Sequence, residues 1–295
     1  MPEKNCKIVP DNIKCIAVTA PAGLPDAGKF AASLEFLRTA ADVQIKDYLP
    51  ERVTGTPDYL AGSAEARSAA FNRAVNDPEV DMILCARGGF GCVHILPALD
   101  YATLQKRNLP VMGYSDITAL HCAMLKKQSG IPIAGSNLTG IENLADTPQY
   151  AASHLEALAA NSGNLNSIVL KSISGNKRPV TACAYAANLT VLSSLCGSDY
   201  LPDFSNMILI LEDINEPLYK IDRMLNQLYL NKVFNNLAAL AMGDFSGTES
   251  DPAFLFTQIA DRFDLPCFTG FPFGHNGTIR AVNAQKVLTI TPADL

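Results

Sequence analysis

A chain of 295 residues that is 48% hydrophobic and 18% charged can bury a sizeable core and is too apolar for a disordered tail. Its formal net charge of −6, with no Lys/Arg block, argues against a nucleic-acid partner. No run approaches the roughly 18 consecutive apolar residues of a membrane span, and the opening Met-Pro-Glu-Lys-Asn-Cys-Lys lacks the apolar stretch of a secretory signal. Of the eight cysteines, Cys15, Cys85, Cys122, Cys183, Cys196 and Cys267 lie in apolar runs, as small hydrophobes do. With no paired spacing they point to a reduced, cytoplasmic setting.

In chain order, Ile13–Thr19 reads as a strand ended by Ala20-Pro21-Ala22-Gly23, and Ala31–Ala41 as a helix on Leu34, Leu37 and Ala41. Ser63 is a suitable N-cap for a helix over 63–77 that Asp77-Pro78 stops. Val80–Ala86 is a second buried strand, feeding Arg87-Gly88-Gly89-Phe90-Gly91. Leu109–Tyr114 is a third, followed by a helix over Ile117–Lys127. This alternation predicts a doubly wound parallel sheet. After about residue 160 the composition shifts, with turn-rich Asn161–Asn166 and a polar break over Ser174–Arg178. Period-2 stretches follow at Ser167–Ile173 and Val180–Ala186. Further strands are expected at Met207–Leu211 and Leu237–Phe245, with an amphipathic helix over Pro217–Leu230. The expectation is an α/β domain over 1–165 and a smaller β-rich domain over 178–295.

No His-Glu-x-x-His, Cys-x-x-Cys or Gly-Lys-Ser/Thr motif occurs, and Gly88-Gly89-Phe90-Gly91 does not complete a dinucleotide fingerprint. No metal and no cofactor are expected. Three polar positions at strand ends remain. Ser115, in Gly113-Tyr114-Ser115-Asp116-Ile117, stands on a sharp strand-to-helix turn where the following amides suit an oxyanion, although Ser115 or Asp116 could merely cap the helix. The glycines at 88, 89 and 91 allow close backbone approach to a ligand. His275, in Phe273-Gly274-His275-Asn276-Gly277, is the best-placed general base. His94 and His154 are expected to be partly buried structural residues, and His121 to face away from Ser115. Glu212 or Asp213, after the Met207–Leu211 strand, would orient the imidazole. Glu212 is favoured because it borders the buried strand, though spacing alone does not decide.

The sequence resembles the LD-carboxypeptidases, a family that includes the microcin C immunity-type serine peptidases. The resemblance is carried by Tyr59-Leu60-Ala61-Gly62, Asp77-Pro78-Glu79-Val80, Ala86-Arg87-Gly88-Gly89-Phe90-Gly91 and Gly113-Tyr114-Ser115-Asp116-Ile117-Thr118-Ala119-Leu120. It continues through Leu211-Glu212-Asp213, Glu216–Leu225 and Phe273-Gly274-His275. It implies a Ser115–His275–Glu212 triad and an oxyanion hole at the amides of Gly88, Gly89 and Asp116. The implied fold is an N-terminal parallel α/β domain and a β-rich C-terminal domain with the site between them, in a homodimer. The substrate implied is a small peptide, a murein tetrapeptide that loses its terminal D-alanine during peptidoglycan recycling. Arg87, Arg223 or Arg280 would receive the terminal carboxylate. Ala186-Ala187-Asn188-Leu189 stands where Gly-Gly-Asn-Leu is usual, Ala134-Gly135-Ser136 where His-Gly-Pro is frequent, and Asn276–Arg280 lacks a proline-rich continuation. These departures keep two alternatives in view: hydrolysis of a peptidyl or aminoacyl sulfamoyl-adenylate by the same triad, and a silent muropeptide-binding module.

Overall fold

The computed structural model describes residues 8–159 and 167–293. Strands β1 (Cys15–Thr19), β2 (Gln44–Tyr48), β3 (Met82–Cys85), β4 (Pro110–Gly113) and β5 (Ile131–Ala134) run parallel in the order β5-β4-β3-β1-β2. Both β1 and β3 are buried along their whole length, as the continuous apolar runs of a covered parallel sheet should be. Helices Ala27–Ala40, Ala64–Asn76, Tyr101–Arg107 and Ile117–Lys126 fill the successive crossovers. The first begins four residues earlier than the apolar spacing suggests, because the Asp26 carboxylate accepts from the Lys29 amide at 2.9 Å and caps it there. Ser63 caps the second as expected, through the Ala66 amide at 3.1 Å.

The chain leaves β1 on one side for β2 and returns on the other for β3. The carboxyl ends of β1 and β3 therefore flank a topological switch point, where open α/β sheets bind ligands. The two loops are laced together there: Ala86 N donates to the Thr19 carbonyl at 2.7 Å and Gly23 N to the Gly88 carbonyl at 3.0 Å.

The second half is a closed barrel. Strands β6 (Ile168–Ser172), β7 (Val180–Asn188), β8 (Ile208–Ile214), β9 (Ala239–Ser246) and β10 (Cys267–Thr269) precede β11 (Val282–Asn283) and β12 (Val287–Pro292). The barrel order is β10-β6-β12-β7-β8-β9, with parallel and antiparallel pairs mixed. Strand β11 instead crosses to the first sheet and pairs antiparallel with β5, Val282 opposite Ala134. The C-terminal half of the chain thus supplies the edge strand of the N-terminal sheet and fastens the two layers together. Cys6 and the turn-rich Asn161–Asn166 stretch lie outside the described residues. Cys183 and Cys196 are half-buried rather than core residues, whereas Cys15, Cys85, Cys122 and Cys267 are buried as expected. Among the described residues no helix is long and apolar enough to cross a membrane.

Candidate active site

Between the end of β4 at Gly113 and the helix starting at Ile117, the chain turns so sharply that Ser115 adopts φ +65°. Left-handed backbone costs an ordinary L-residue about 1–2 kcal/mol, so the surroundings must hold it in place. They do so at several points. Tyr114 N donates to Asn137 Oδ1 at 3.2 Å, and Thr118 N to the Ser115 carbonyl at 2.9 Å. The buried Asp116 carboxylate accepts from Cys92 N at 2.8 Å and so ties the turn to the glycine loop; burial pushes its pKa up. Gly88 presses directly on the serine. A Cβ at position 88 would lie 2.8 Å from Ser115 Cβ and 3.0 Å from its Oγ. The amides of Gly88, Gly89 and Asp116 donate to no acceptor among the described residues, which leaves them available to an oxyanion. Arg87, exposed, donates to the Leu24 carbonyl at 2.6 Å.

From the barrel side come a carboxylate and an imidazole. Glu212 lies inside β8, not after it as the apolar run suggested, because the strand continues through the acidic residues to Ile214. The β8–β9 register shifts between Leu211 and Asp213. Irregularities of this kind re-aim side chains beside active sites, and Glu212 is fully buried. Its Oε2 accepts from His275 Nδ1 at 2.8 Å and its Oε1 from Asn188 Nδ2 at 3.1 Å. Burial raises the Glu212 pKa, against the lowering effect of His275 and Asn188. For His275, burial disfavours the imidazolium, but the hydrogen bond and charge of Glu212, then Asp213 and Asp244, outweigh it and raise the pKa. With Nδ1 bonded to the carboxylate, Nε2 is the nitrogen left to act as a base. The two halves meet at Tyr114, whose ring centroid is 5.1 Å from that of His275 and 6.3 Å from that of Phe273.

The other histidines are committed elsewhere. His121 is fully buried with Nε2 on the Val111 carbonyl at 3.0 Å, and burial lowers its pKa to about 3. His154 Nε2 accepts from Ser136 N at 3.0 Å, so Nδ1 carries the proton towards the Tyr150 carbonyl at 2.7 Å; burial takes its pKa to about 4. His94 is exposed, contrary to expectation. Its single helical turn, Cys92–Ile95, directs Cys92 and Ile95 inward and leaves His94 against Phe90, ring centroids 5.1 Å apart. Asp213, the rival carboxylate, is occupied by the amide and hydroxyl of Thr190 at 2.9 and 2.7 Å.

Two residues in the site were not singled out from sequence. Asn188 holds the far oxygen of Glu212, bonds Asp213 at 3.1 Å, and caps the helix Leu189–Ser194 through Val191 N at 3.0 Å. Its own amide donates at 3.0 Å to the hydroxyl of Thr118, three residues past Ser115. The signal was the asparagine retained inside Ala186-Ala187-Asn188-Leu189, where only the altered alanines drew attention. Among the described residues no group of three His, Cys, Asp or Glu side chains is arranged to hold a metal.

Residues 16–135 match the LD-carboxypeptidase N-terminal domain and residues 182–289 the LD-carboxypeptidase C-terminal domain. The chain belongs to the LD-carboxypeptidase family. This LD-carboxypeptidase relative is 30% identical over 280 residues to the murein tetrapeptide carboxypeptidase of Pseudomonas aeruginosa, covering 90% of this chain and 89% of that one. It is 26% identical over 303 residues to the microcin C7 self-immunity protein MccF of Escherichia coli, covering 90% and 86%. In fold it is similar to the muramoyltetrapeptide carboxypeptidase of Oxalobacter formigenes, with TM-score 0.74, 24% identity and 92% of each chain covered. It is similar also to an MccF-like protein of Bacillus anthracis, with TM-score 0.82, 20% identity and 98% and 97% covered. The two-domain architecture expected from the resemblance is therefore the one adopted, and the family is one of peptidases, hence hydrolases.

Proposed function

We propose that this protein is a metal-independent serine carboxypeptidase that removes the terminal D-alanine from murein tetrapeptides, acting as a cytoplasmic homodimer in peptidoglycan recycling. The observation that carries the reading is the 2.8 Å hydrogen bond from His275 to the buried Glu212, with the His275 ring against Tyr114, the neighbour of a serine on a left-handed turn. Ser115, with His275 and Glu212, would form the triad. The Ser115 hydroxyl makes no hydrogen bond to another described residue in this conformation. Catalytic contacts of this kind commonly tighten only around substrate.

In the proposed reaction His275 Nε2 takes the Ser115 proton as Oγ attacks the scissile carbonyl. The oxyanion rests on the amides of Gly88, Gly89 and Asp116. Glu212 fixes the imidazole tautomer and stabilises the imidazolium, which then protonates the departing D-alanine amine. Water activated by the same imidazole releases the acyl group. Ser115→Ala should lower D-alanine release from a synthetic L,D-tetrapeptide by about 10⁴-fold or more while leaving the fold intact. Chelators should leave turnover unchanged. An alanine variant as active as the wild type, or activity abolished by EDTA, refutes the mechanism.

A second reading, hydrolysis of an aminoacyl sulfamoyl-adenylate, is favoured by one feature. Tyr59 and Phe90 are both exposed beside the glycine loop with ring centroids 6.1 Å apart, a surface on which a nucleobase could stack. Offering both substrates to the same preparation separates the readings, and a silent binding module would cleave neither.

A further inference from the structure

An exopeptidase must place a free carboxylate one residue beyond the scissile carbonyl, within about 3.5 Å of extended chain. Of the three arginines that could receive it, Arg280 is half-buried, and burial lowers its pKa against the field of Glu156. Arg223 is exposed on the helix Leu218–Leu230, with its guanidinium 5.5 Å from the Tyr219 ring. Arg87 is different, because it immediately precedes Gly88, the residue packed on Ser115. The Arg87 side chain lines a cavity of about 430 Å³, together with Asp26, Lys29, Thr139, Glu142 and Asn143.

The charged groups of this cavity are unequally occupied. Asp26 Oδ1 is used by the Lys29 amide, and Glu142 Oε2 by the Ser33 hydroxyl at 2.7 Å and Gly140 N at 3.2 Å. The Thr139 hydroxyl is spent on the Ala86 carbonyl at 2.9 Å. The donors are mostly uncommitted. Arg87 spends only its Nη1 on the Leu24 carbonyl, and a guanidinium has five N–H groups. The Lys29 ammonium donates to nothing among the described residues. We infer that this cavity is the exopeptidase determinant: Arg87 and Lys29 bind the terminal carboxylate of the peptide and set the cut one residue from its end. Glu142 faces the same space and weakens that binding by like-charge repulsion. The inference rests on the carboxypeptidase reading of the Ser115 site.

The test compares two substrates, the L,D-tetrapeptide ending in free D-alanine and the same peptide ending in D-alaninamide. Wild-type enzyme should favour the free acid in kcat/KM by about 10²-fold or more, about 10-fold or more for each charge-assisted contact. Lys29→Ala and Arg87→Ala should each cut the acid-to-amide ratio about 10-fold, and Lys29→Arg should restore most of it. Glu142→Gln, which keeps both acceptor bonds and removes the charge, should lower KM for the acid. The ratio is the readout because loosening of the glycine loop slows both substrates alike. An active enzyme whose ratio is indifferent to Lys29 and Arg87 overturns the cavity assignment alone. Wild-type protein inert toward both peptides overturns the carboxypeptidase reading, and the cavity with it.

Discussion

Glu212→Gln probes the site most sharply, because the structure fixes what the new amide can do. To keep accepting from His275 Nδ1, the amide oxygen must take the place of Glu212 Oε2, which turns the NH₂ toward Asn188 Nδ2. Two donors then face each other in a fully buried position. Asn188 cannot flip to relieve them without losing its bond to Val191 N and the cap on the helix Leu189–Ser194. An unmade buried hydrogen bond costs about 1–3 kcal/mol, so a modest fall in Tm is expected. The larger effect is on the base. In the wild type, burial resists charging of His275, and the bond and charge of Glu212 overcome it. Remove the charge and burial remains, so the imidazole pKa falls. A base is inactive while protonated, so the acidic limb of kcat/KM must move to lower pH. The plateau should drop about 10³–10⁴-fold, the scale seen when a triad acid is neutralised. D-alanine release across pH, with circular dichroism to confirm folding, measures both. An acidic limb that stays put or moves to higher pH refutes the assignment of Glu212 as the group that sets the base.

Three further outcomes are open to measurement. Gly88→Ala would drive a Cβ to 2.8 Å from Ser115 Cβ and 3.1 Å from the Tyr114 carbonyl, so activity should fall by about 10²-fold or more in an otherwise folded protein; near-native turnover would contradict the packing. Ser115→Gly should abolish turnover yet raise stability by about 1 kcal/mol, read in urea melts, because it releases the left-handed strain. Asp77, bonded to Lys46 Nζ and the Tyr48 hydroxyl, has its pKa pulled from 3.8 down to about 2. A depressed carboxylate contributes stability above its unfolded pKa and loses it as pH falls through the folded one. The Tm deficit of Asp77→Asn should therefore be present near neutrality and vanish toward pH 2.

What could be read from the sequence follows what the chain encodes locally. Apolar runs such as Val80–Ala86 and Leu109–Tyr114 announce buried strands, and the Ser63 cap and the Asp77-Pro78 stop bracket their helix closely. The strands that escaped carry weaker local signals. β2, Gln-Ile-Lys-Asp-Tyr, is a partly exposed sheet edge, and β5, Ile-Pro-Ile-Ala, contains a proline that usually argues against a strand. β11 has two residues and exists only because β5 offers an edge. Closure of the barrel, where β10 joins both β6 and β9, is likewise a matter of distant pairing that no local pattern specifies. At the site, elimination among four histidines pointed to His275, while spacing alone left Glu212 and Asp213 undecided. The roles of Asn188 and Thr118 were not, because each is defined by a partner 24 or 70 residues away.

The strain at Ser115 explains why so many polar groups converge on the loops around it. A left-handed serine persists only if relaxing it breaks other bonds, and one restraint on the surrounding loops is Arg67. Its side chain is buried, yet among the described residues it has no carboxylate within hydrogen-bond contact. Nε donates to the Gly62 carbonyl at 3.0 Å, and Nη1 donates to those of Pro21 and Gly91 at 2.6 and 2.7 Å. One guanidinium thus gathers the loops after β1 and β3 and the turn before the helix Ala64–Asn76. Burial lowers its pKa, and the charge of Asp116 partly compensates. Asp116 in turn reaches Cys92 N in the loop that Arg67 holds, so cation, carboxylate and serine turn form one connected frame. A buried charge satisfied by carbonyls is an expensive way to stabilise a fold. It is an effective way to fix three irregular loops in a single arrangement, which an oxyanion hole built from loop amides requires.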